Sequence, residues 1–175
     1  MRSVTVASAV IGVYAVVASF AFATTAVETM LLYPNIFREV PDSLAQTEEF
    51  MSVVAVGDVM RPMGGVLTLT ALIACAVAVR YRMGRAWMTA SLISLISGQF
   101  LLSVLYQWPR ASILFDDRDE HTLAEIEQAA SEFLLGQGVR IAAAGVTAVC
   151  AVVAALVCYR ARVLETAADE FAAAL

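Results

Sequence analysis

Four long runs of apolar residues dominate this chain and limit what it can fold into. They cover about residues 4–27, 63–79, 86–106 and 138–159. A helix that crosses the hydrocarbon core of a bilayer needs about 17–25 mostly apolar residues, and every run reaches that length. The chain is also 61% hydrophobic over 175 residues, whereas soluble domains are about 45–50% apolar. The pattern predicts one integral membrane domain covering residues 1–175, with no room for a large soluble domain.

The arrangement of the runs predicts how the spans pack. A backbone inside a bilayer has no water to bond, so each span is predicted to be a helix. Only residues 80–85 link the second and third runs, which makes those two spans antiparallel neighbours. Ser91, Ser94 and Gly98 form a stripe of small residues on the third run, which suits close helix packing. We therefore predict an all-α, antiparallel four-helix bundle.

Two longer connecting segments, residues 28–62 and 107–137, are each predicted to contain a short amphipathic helix. In the first segment, Leu44, Met51 and Val54 recur at helical spacing. In the second segment, one helical face would carry Leu123, Ile126, Ala130, Phe133 and Leu134. Interfacial helices that bind anionic lipids are usually basic, but these are acidic. We therefore expect both helices to pack on the protein.

The charges predict which way the chain threads the membrane. All 11 basic residues are arginine, and six of them lie beside the same ends of the runs: Arg2, Arg80, Arg82, Arg85, Arg160 and Arg162. The two connecting segments hold 13 of the 16 acidic residues. Arginine beside a span favours the cytoplasmic side. The sequence thus predicts a multi-pass cell-membrane protein with the 80–85 link, both termini and the tail 160–175 in the cytoplasm, and both acidic segments outside.

The first run has a second interpretation as a secretory signal peptide, cleaved near Ala23 or Ala26. One arginine precedes the run, and its apolar stretch is longer than the 7–15 residues typical of a signal peptide. These features favour an uncleaved span, and the mass of the mature protein would decide between the two.

Polar side chains near the outer ends of the spans are the candidate ligand-binding residues. They are Glu28, Arg61, Gln99, Tyr106, Gln137 and Arg140. An ionisable group inside a membrane is costly and is usually paired, so Glu28 and Arg140 are the natural pair and the candidates for catalysis. Alternatively, both residues lie solvated at the membrane interface. For Gln99, a hydrogen bond between helices is the alternative to a ligand contact.

The sequence indicates no metal and no cofactor. His121 is the only histidine, and its acidic segment offers no partners typical of a zinc or haem site. Cys75, Cys150 and Cys158 lie within predicted spans without a CxxC pair, so they are interpreted as small packing residues. Phosphate-binding glycine loops and hydrolase motifs do not occur. With a net charge of −5, the chain also gives no reason to expect nucleic acid as a partner.

Several short motifs in order resemble a known family. They are Glu28-Thr29 and Tyr33-Pro34 followed by Pro41–Leu44, then Arg61-Pro62, then Trp108–Phe115, and then Glu132–Arg140. Because it carries these motifs in this order, the chain resembles small bacterial four-span membrane proteins akin to the anthrone-oxygenase-like family. The resemblance covers nearly the whole chain. It implies a four-span fold, a bacterial origin and oxygenation of an aromatic polyketide without metal or cofactor.

Three functions fit these residues. The first is a non-catalytic membrane protein, either a partner subunit or a binder of a lipid or lipophilic molecule. The second is a cofactor-independent oxygenase-like enzyme in which Glu28 is the base and Arg140, with Gln137, stabilises an oxyanion. The third is a small transporter or oligomeric channel, although no span carries a deep charge or a break. We expect the first, with membrane lipid as partner and another membrane protein or a second copy of the chain as further candidates.

Overall fold

Helices make up 91% of the protein in the computed structural model, which describes residues 2–173. No strand occurs within those residues. Four helices are long and apolar enough to cross a membrane: Val4–Ile36, Val56–Tyr81, Arg85–Asp116 and Leu123–Ala172. The predictions of an all-α chain and of four helices suited to span a membrane are therefore confirmed.

The first three helices are defined as follows. Helix α1 comprises Arg2–Val27, a π-helical turn at Glu28–Leu32 and a final turn at Tyr33–Ile36. Helix α2 is short, Asp42–Phe50, and occupies the first of the two predicted connecting segments. Helix α3 is Val56–Tyr81. Asp58 caps the start of α3 by accepting a hydrogen bond from the Ala55 backbone N–H, at 3.1 Å.

The last two helices take up most of the remaining chain. Helix α4 consists of consecutive helical segments: Arg85–Leu95, the π-helical Ile96–Leu101 and Ser103–Gln107, the α-helical Trp108–Ala111, and the π-helical Ser112–Asp116. After a 3₁₀ turn at Arg118–Glu120, helix α5 covers Leu123–Ala173. At its start, Thr122 and Glu125 cap each other, since the Thr122 N–H donates to Glu125 at 2.8 Å and the Glu125 N–H donates to the Thr122 hydroxyl at 3.4 Å.

Three helices extend beyond the apolar runs that predicted them. Helix α1 continues past residue 27 to Ile36, and α4 continues past residue 106 to Asp116. Helix α5 is 51 residues long and includes both the segment 123–137 and most of the tail. The separate second amphipathic helix expected from the sequence is therefore the first part of α5. Gly136 and Gly138 do not break it, because a glycine costs a helix only about 1 kcal/mol.

One buried cluster joins all four long helices, and we call it the first cluster. It contains Ile11 and Tyr14 of α1, Leu67 of α3, Met88 of α4 and Cys158 of α5. Alanines fill much of the remainder: Ala15, Ala18, Ala21, Ala71, Ala74, Ala78, Ala148, Ala151 and Ala154. Small side chains let helices approach closely where lipid tails compete equally for apolar surface.

Hydrogen bonds cross the first cluster between helices. The Ser91 hydroxyl donates to the Thr147 carbonyl at 2.8 Å, and its oxygen lies 2.7 Å from the Tyr14 hydroxyl. The Ser94 hydroxyl donates to the Ala143 carbonyl at 2.9 Å. These bonds join α1, α4 and α5 and leave the polar groups of Tyr14, Ser91 and Ser94 satisfied.

A second cluster lies at the other end of α1. It contains Tyr33, Ile36, Leu44, Leu114, Ile126, Ala129, Ala130 and Phe133. In this cluster, the end of α1, helix α2, the end of α4 and the start of α5 pack together. Arg118 holds α2 in place through paired bonds to the Glu48 carboxylate, at 2.8 and 3.0 Å. Parts of both acidic segments thus pack on the protein. Of the predicted apolar faces, Leu44, Ile126, Ala130 and Phe133 are buried, whereas Val54, Leu123 and Leu134 are exposed.

Gly98 lies where α4 and α5 approach each other closely. A Cβ added there would lie 2.4 Å from the Ala143 Cβ, so one helix would have to move. We expect Gly98→Ala to lower the free energy of unfolding by about 1–3 kcal/mol. Gly12→Ala is the matched control, because no atom lies within 4 Å of its added Cβ, and it should be neutral or stabilising by up to about 1 kcal/mol. Reversible unfolding in mixed micelles measures both, and equal effects would contradict the close contact.

Candidate functional site

Glu28 is a buried carboxylate near the end of α1. The residue is 6% exposed, and the Tyr33 hydroxyl donates a hydrogen bond to its Oε1. Its other oxygen, Oε2, has no hydrogen-bond partner in the structure. A buried polar atom without a partner costs about 1–3 kcal/mol. Glu28 therefore holds one oxygen ready to accept a bond from another molecule.

Pro34 explains the π-helical turn that carries Glu28. Proline has no N–H, and its ring clashes with the carbonyl four residues earlier, that of Met30. The chain responds with a wider turn, in which the Tyr33 N–H bonds to the Glu28 carbonyl. The wider turn lets the helix continue past the proline. It also brings together the side chains of Glu28 and Tyr33, which are five residues apart.

Helix α4 also contains a π-helical segment that precedes a proline. Pro109 follows the π-helical segment Ser103–Gln107, and the Trp108 N–H bonds to the Ser103 carbonyl. Gln107, at the end of that segment, is 2% exposed. Both aromatic–proline pairs thus follow a π-helical turn with a buried polar side chain, and such turns are frequent at functional sites.

Aromatic rings and one arginine surround Tyr33. Its ring stacks on Phe37, with centroids 5.8 Å apart, and meets Phe133 edge-on at 5.1 Å. The positive charge of Arg140 acts on the Tyr33 hydroxyl. No ion pair within 4.0 Å joins Glu28 directly to Arg140 among the described side chains. The direct Glu28–Arg140 pair expected from the sequence is therefore not formed, and Glu28 is bonded to Tyr33 instead.

Two glutamines near this region are buried with unpartnered atoms. Gln137 is 0% exposed, and neither its Oε1 nor its Nε2 has a hydrogen-bond partner in the structure. The Gln107 Nε2 donates to the Phe133 carbonyl at 3.3 Å, but its Oε1 is unpartnered. Gly136 permits this approach, since a Cβ there would lie 2.8 Å from the Gln107 Nε2. All four unpartnered side-chain atoms found belong to Glu28, Gln107 and Gln137.

Of the other predicted ligand-binding residues, the Tyr106 ring lies against Gly136, next to Gln137. Arg61 is exposed, and its guanidinium lies over Gly57. Gln99 donates to the Thr147 hydroxyl at 3.0 Å, which is the bond between helices that the sequence offered as its alternative role. The Tyr106 ring lies under the Arg110 guanidinium, 3.6 Å from ring centroid to Cζ. Of the six candidates, Glu28 is bonded to Tyr33 of the second cluster, and Tyr106 lies beside the neighbour of Gln137.

A large apolar groove opens beside Glu28, and we call it the α1–α3 groove. Its volume is about 810 Å³. The lining residues come from the end of α1, from the segment that follows α2 and from the start of α3: Ala23, Thr24, Val27, Glu28, Leu31, Leu32, Phe50, Met51, Val53, Val54, Ala55, Val56, Val59 and Met60. Phe50 and Val53 on its rim are 84% and 91% exposed. Glu28 is the only ionisable residue among those that line the groove.

The described residues contain no group of three or more histidine, cysteine or acidic side chains able to hold a metal ion. His121 lies 3.8 Å from Glu125, its neighbour one turn later. Comparison with protein-family models, with curated proteins and with solved structures found no match to this chain. The functional proposal therefore depends on the residues of the groove and of the second cluster.

The sequence did not single out Tyr33 or Gln107 as site residues. The signal was the aromatic–proline pair, present as Tyr33-Pro34 and Trp108-Pro109. In α1 and α4 the proline follows a wider turn, whereas α3 contains Pro62 without one. Polar residues within that turn are then candidates to point inward.

Gln137 and Gln99 provide a matched pair of glutamines. We expect Gln137→Met to raise the free energy of unfolding by about 1–3 kcal/mol, because it removes an unpartnered amide from a buried site. Gln99→Met should lower it by about 0.5–1.5 kcal/mol, because the bond to Thr147 is lost. Unfolding of both variants in the same micelles gives the comparison. A loss of stability in Gln137→Met would show that the amide is bonded in the native protein.

Proposed function

We propose that this protein binds a lipophilic molecule in the α1–α3 groove while embedded in a membrane. One observation carries the proposal: an apolar groove of about 810 Å³ contains a single buried carboxylate with a free oxygen. Ligand-binding pockets are usually about 300–1,000 Å³, mostly apolar, with a few polar groups that orient the ligand. The α1–α3 groove matches that description.

The groove's polar side chains favour binding over catalysis. Besides Glu28, the hydroxyl that lines the groove belongs to Thr24. That hydroxyl donates to the Ala21 carbonyl at 2.9 Å and to the Phe20 carbonyl at 3.1 Å. The Thr24 hydroxyl is thus bonded to its own helix. Of the residues expected to act in an oxygenase, Glu28 lines the groove, but the expected oxyanion donors Arg140 and Gln137 do not. We therefore propose a non-catalytic role for the groove.

We further propose that the four long helices form an antiparallel bundle across the cell membrane. In support, Gly84 lies beside Ala154 whereas Gly98 lies beside Ala143, so α4 and α5 run in opposite directions. Arginine beside spans favours the cytoplasmic side, and the link between α3 and α4 carries Arg80, Arg82 and Arg85. This topology puts both termini in the cytoplasm and the second cluster outside.

Single cysteines test this topology. Asp119 and Arg85 are exposed residues at opposite ends of α4 and its following turn. We expect Asp119→Cys to react with a membrane-impermeant maleimide in intact cells and Arg85→Cys to react only after lysis. The unchanged chain is the control, because Cys75, Cys150 and Cys158 lie within the long helices. The reverse labelling order would contradict the proposed orientation.

Filling the groove tests the binding proposal. Val27 and Val16 are both exposed valines of α1, at 57% and 71%, but only Val27 lines the groove. A photoactivatable alkyl diazirine, added to the protein in lipid nanodiscs, should cross-link to the segment 50–56, and unlabelled alkyl competitor should reduce the signal. We expect Val27→Trp to abolish the competed signal, because the indole occupies the groove, and Val16→Trp to leave it unchanged. Equal labelling of both variants would contradict binding in the groove.

A further inference from the structure

We propose that the molecule in the α1–α3 groove has a hydrogen-bond-donating head, a protonated amine or a hydroxyl, which binds the Oε2 of Glu28. This inference rests on the proposed function and adds the chemical class of the ligand. The head would lie at Glu28, and an apolar chain would fill the remainder of the groove.

The two oxygens of Glu28 are in different situations. Oε1 accepts the hydrogen bond from the Tyr33 hydroxyl. Oε2 is buried, and no group in the described part of the protein donates to it. Glu28 also lines the groove, but Oε2 itself is covered in this structure, so a head group would reach it after a rotation of the Glu28 side chain. A carboxyl oxygen that carries no proton only accepts hydrogen bonds, so the group that Oε2 lacks is a donor.

The charges around the groove disfavour an acidic head. Glu28 is the only ionisable lining residue, so no arginine lines the groove. Arg61, the nearest arginine along α3, is exposed and lies over Gly57. Arg140 does not line the groove either. A carboxylate or phosphate head would therefore meet the charge of Glu28 in apolar surroundings, where repulsion between like charges is strong.

The remainder of the groove suits a single apolar chain. Leu31, Met51, Val54 and Met60 are among the aliphatic side chains of its wall. Thr24 has already used its hydroxyl hydrogen within α1. The exposed rim at Phe50 and Val53 is apolar as well, so a chain can enter from the surrounding lipid without crossing a polar surface. One donor at the head and one apolar chain thus match the groove.

Four photoprobes with one chain and different heads test this proposal. Each is a dodecyl chain with a diazirine, ending in an amine, an alcohol, a carboxylate or a methyl group. The protein is held in nanodiscs of neutral lipid, and cross-linked peptides are quantified by mass spectrometry. In the wild type, we expect the amine and alcohol probes to label the segment 50–56 at least about tenfold more than the carboxylate probe, because one hydrogen bond to a charged group separates them.

Two acid-to-amide variants identify the residue responsible. Glu28→Gln should reduce amine labelling by about tenfold or more and alcohol labelling by less, because a neutral amide oxygen is a weaker acceptor than a carboxylate. Glu49→Gln is the matched control: Glu49 is exposed on α2, next to Phe50 on the rim, and does not line the groove. Its labelling should equal that of the wild type. If Glu28→Gln does not fold, the ranking of the four heads on the wild type decides alone.

The outcomes separate this inference from the proposed function. If the carboxylate or methyl probe labels the segment as well as the amine probe, the groove binds lipophiles without selecting the head, and only this inference is overturned. If none of the four probes labels the lining above the level of the lipid-facing surface of α1, the proposed function is overturned with it. Head selection that persists unchanged in Glu28→Gln would also overturn the assignment to Glu28.

Discussion

The missing N–H of proline is the constraint on which this site depends. A helix in apolar surroundings has to keep its backbone bonded within itself, yet Pro34 and Pro109 both fall inside long helices. Each proline follows a π-helical turn, and each turn carries a buried polar side chain, Glu28 or Gln107. The prolines therefore do not end these helices. They set where α1 and α4 turn their polar residues toward the protein interior.

The two ends of the helices differ in whether their buried polar side chains have hydrogen-bond partners. In the first cluster, Tyr14, Ser91 and Gln99 all have hydrogen-bond partners on neighbouring helices. Near the second cluster, Glu28 and Gln137 are buried with atoms that have none. Folding alone gives no reason to keep such groups, because the protein would be more stable with an apolar side chain of similar size at these positions. Their concentration at one end is what a binding region would produce, because proteins depart from the rules of stable packing mainly at functional sites.

Hydropathy was enough to predict the four long helices, because the length of an apolar run is nearly all that a membrane span requires. Glu28 was also identifiable from the sequence, as a charge at the end of such a run. Its partner Tyr33 was not, because side chains meet at spacings of three and four in an α-helix, and these two are five apart. The groove was beyond prediction too, because it forms between α1, α3 and the segment 50–56, which are separated in sequence.

The length of helix α5 affects how its two ends can move relative to each other. At 1.5 Å per residue, its 51 residues form a rod about 75 Å long, more than twice the roughly 30 Å thickness of a hydrocarbon core. One portion packs in the first cluster and another in the second. A tilt of this rod about its middle swings its two ends in opposite directions, as in a lever. Because one unbroken helix connects them, a tilt that displaced Phe133 would also displace Arg160, and it would have to break the packing of the first cluster and the hydrogen bonds at Ala143 and Thr147.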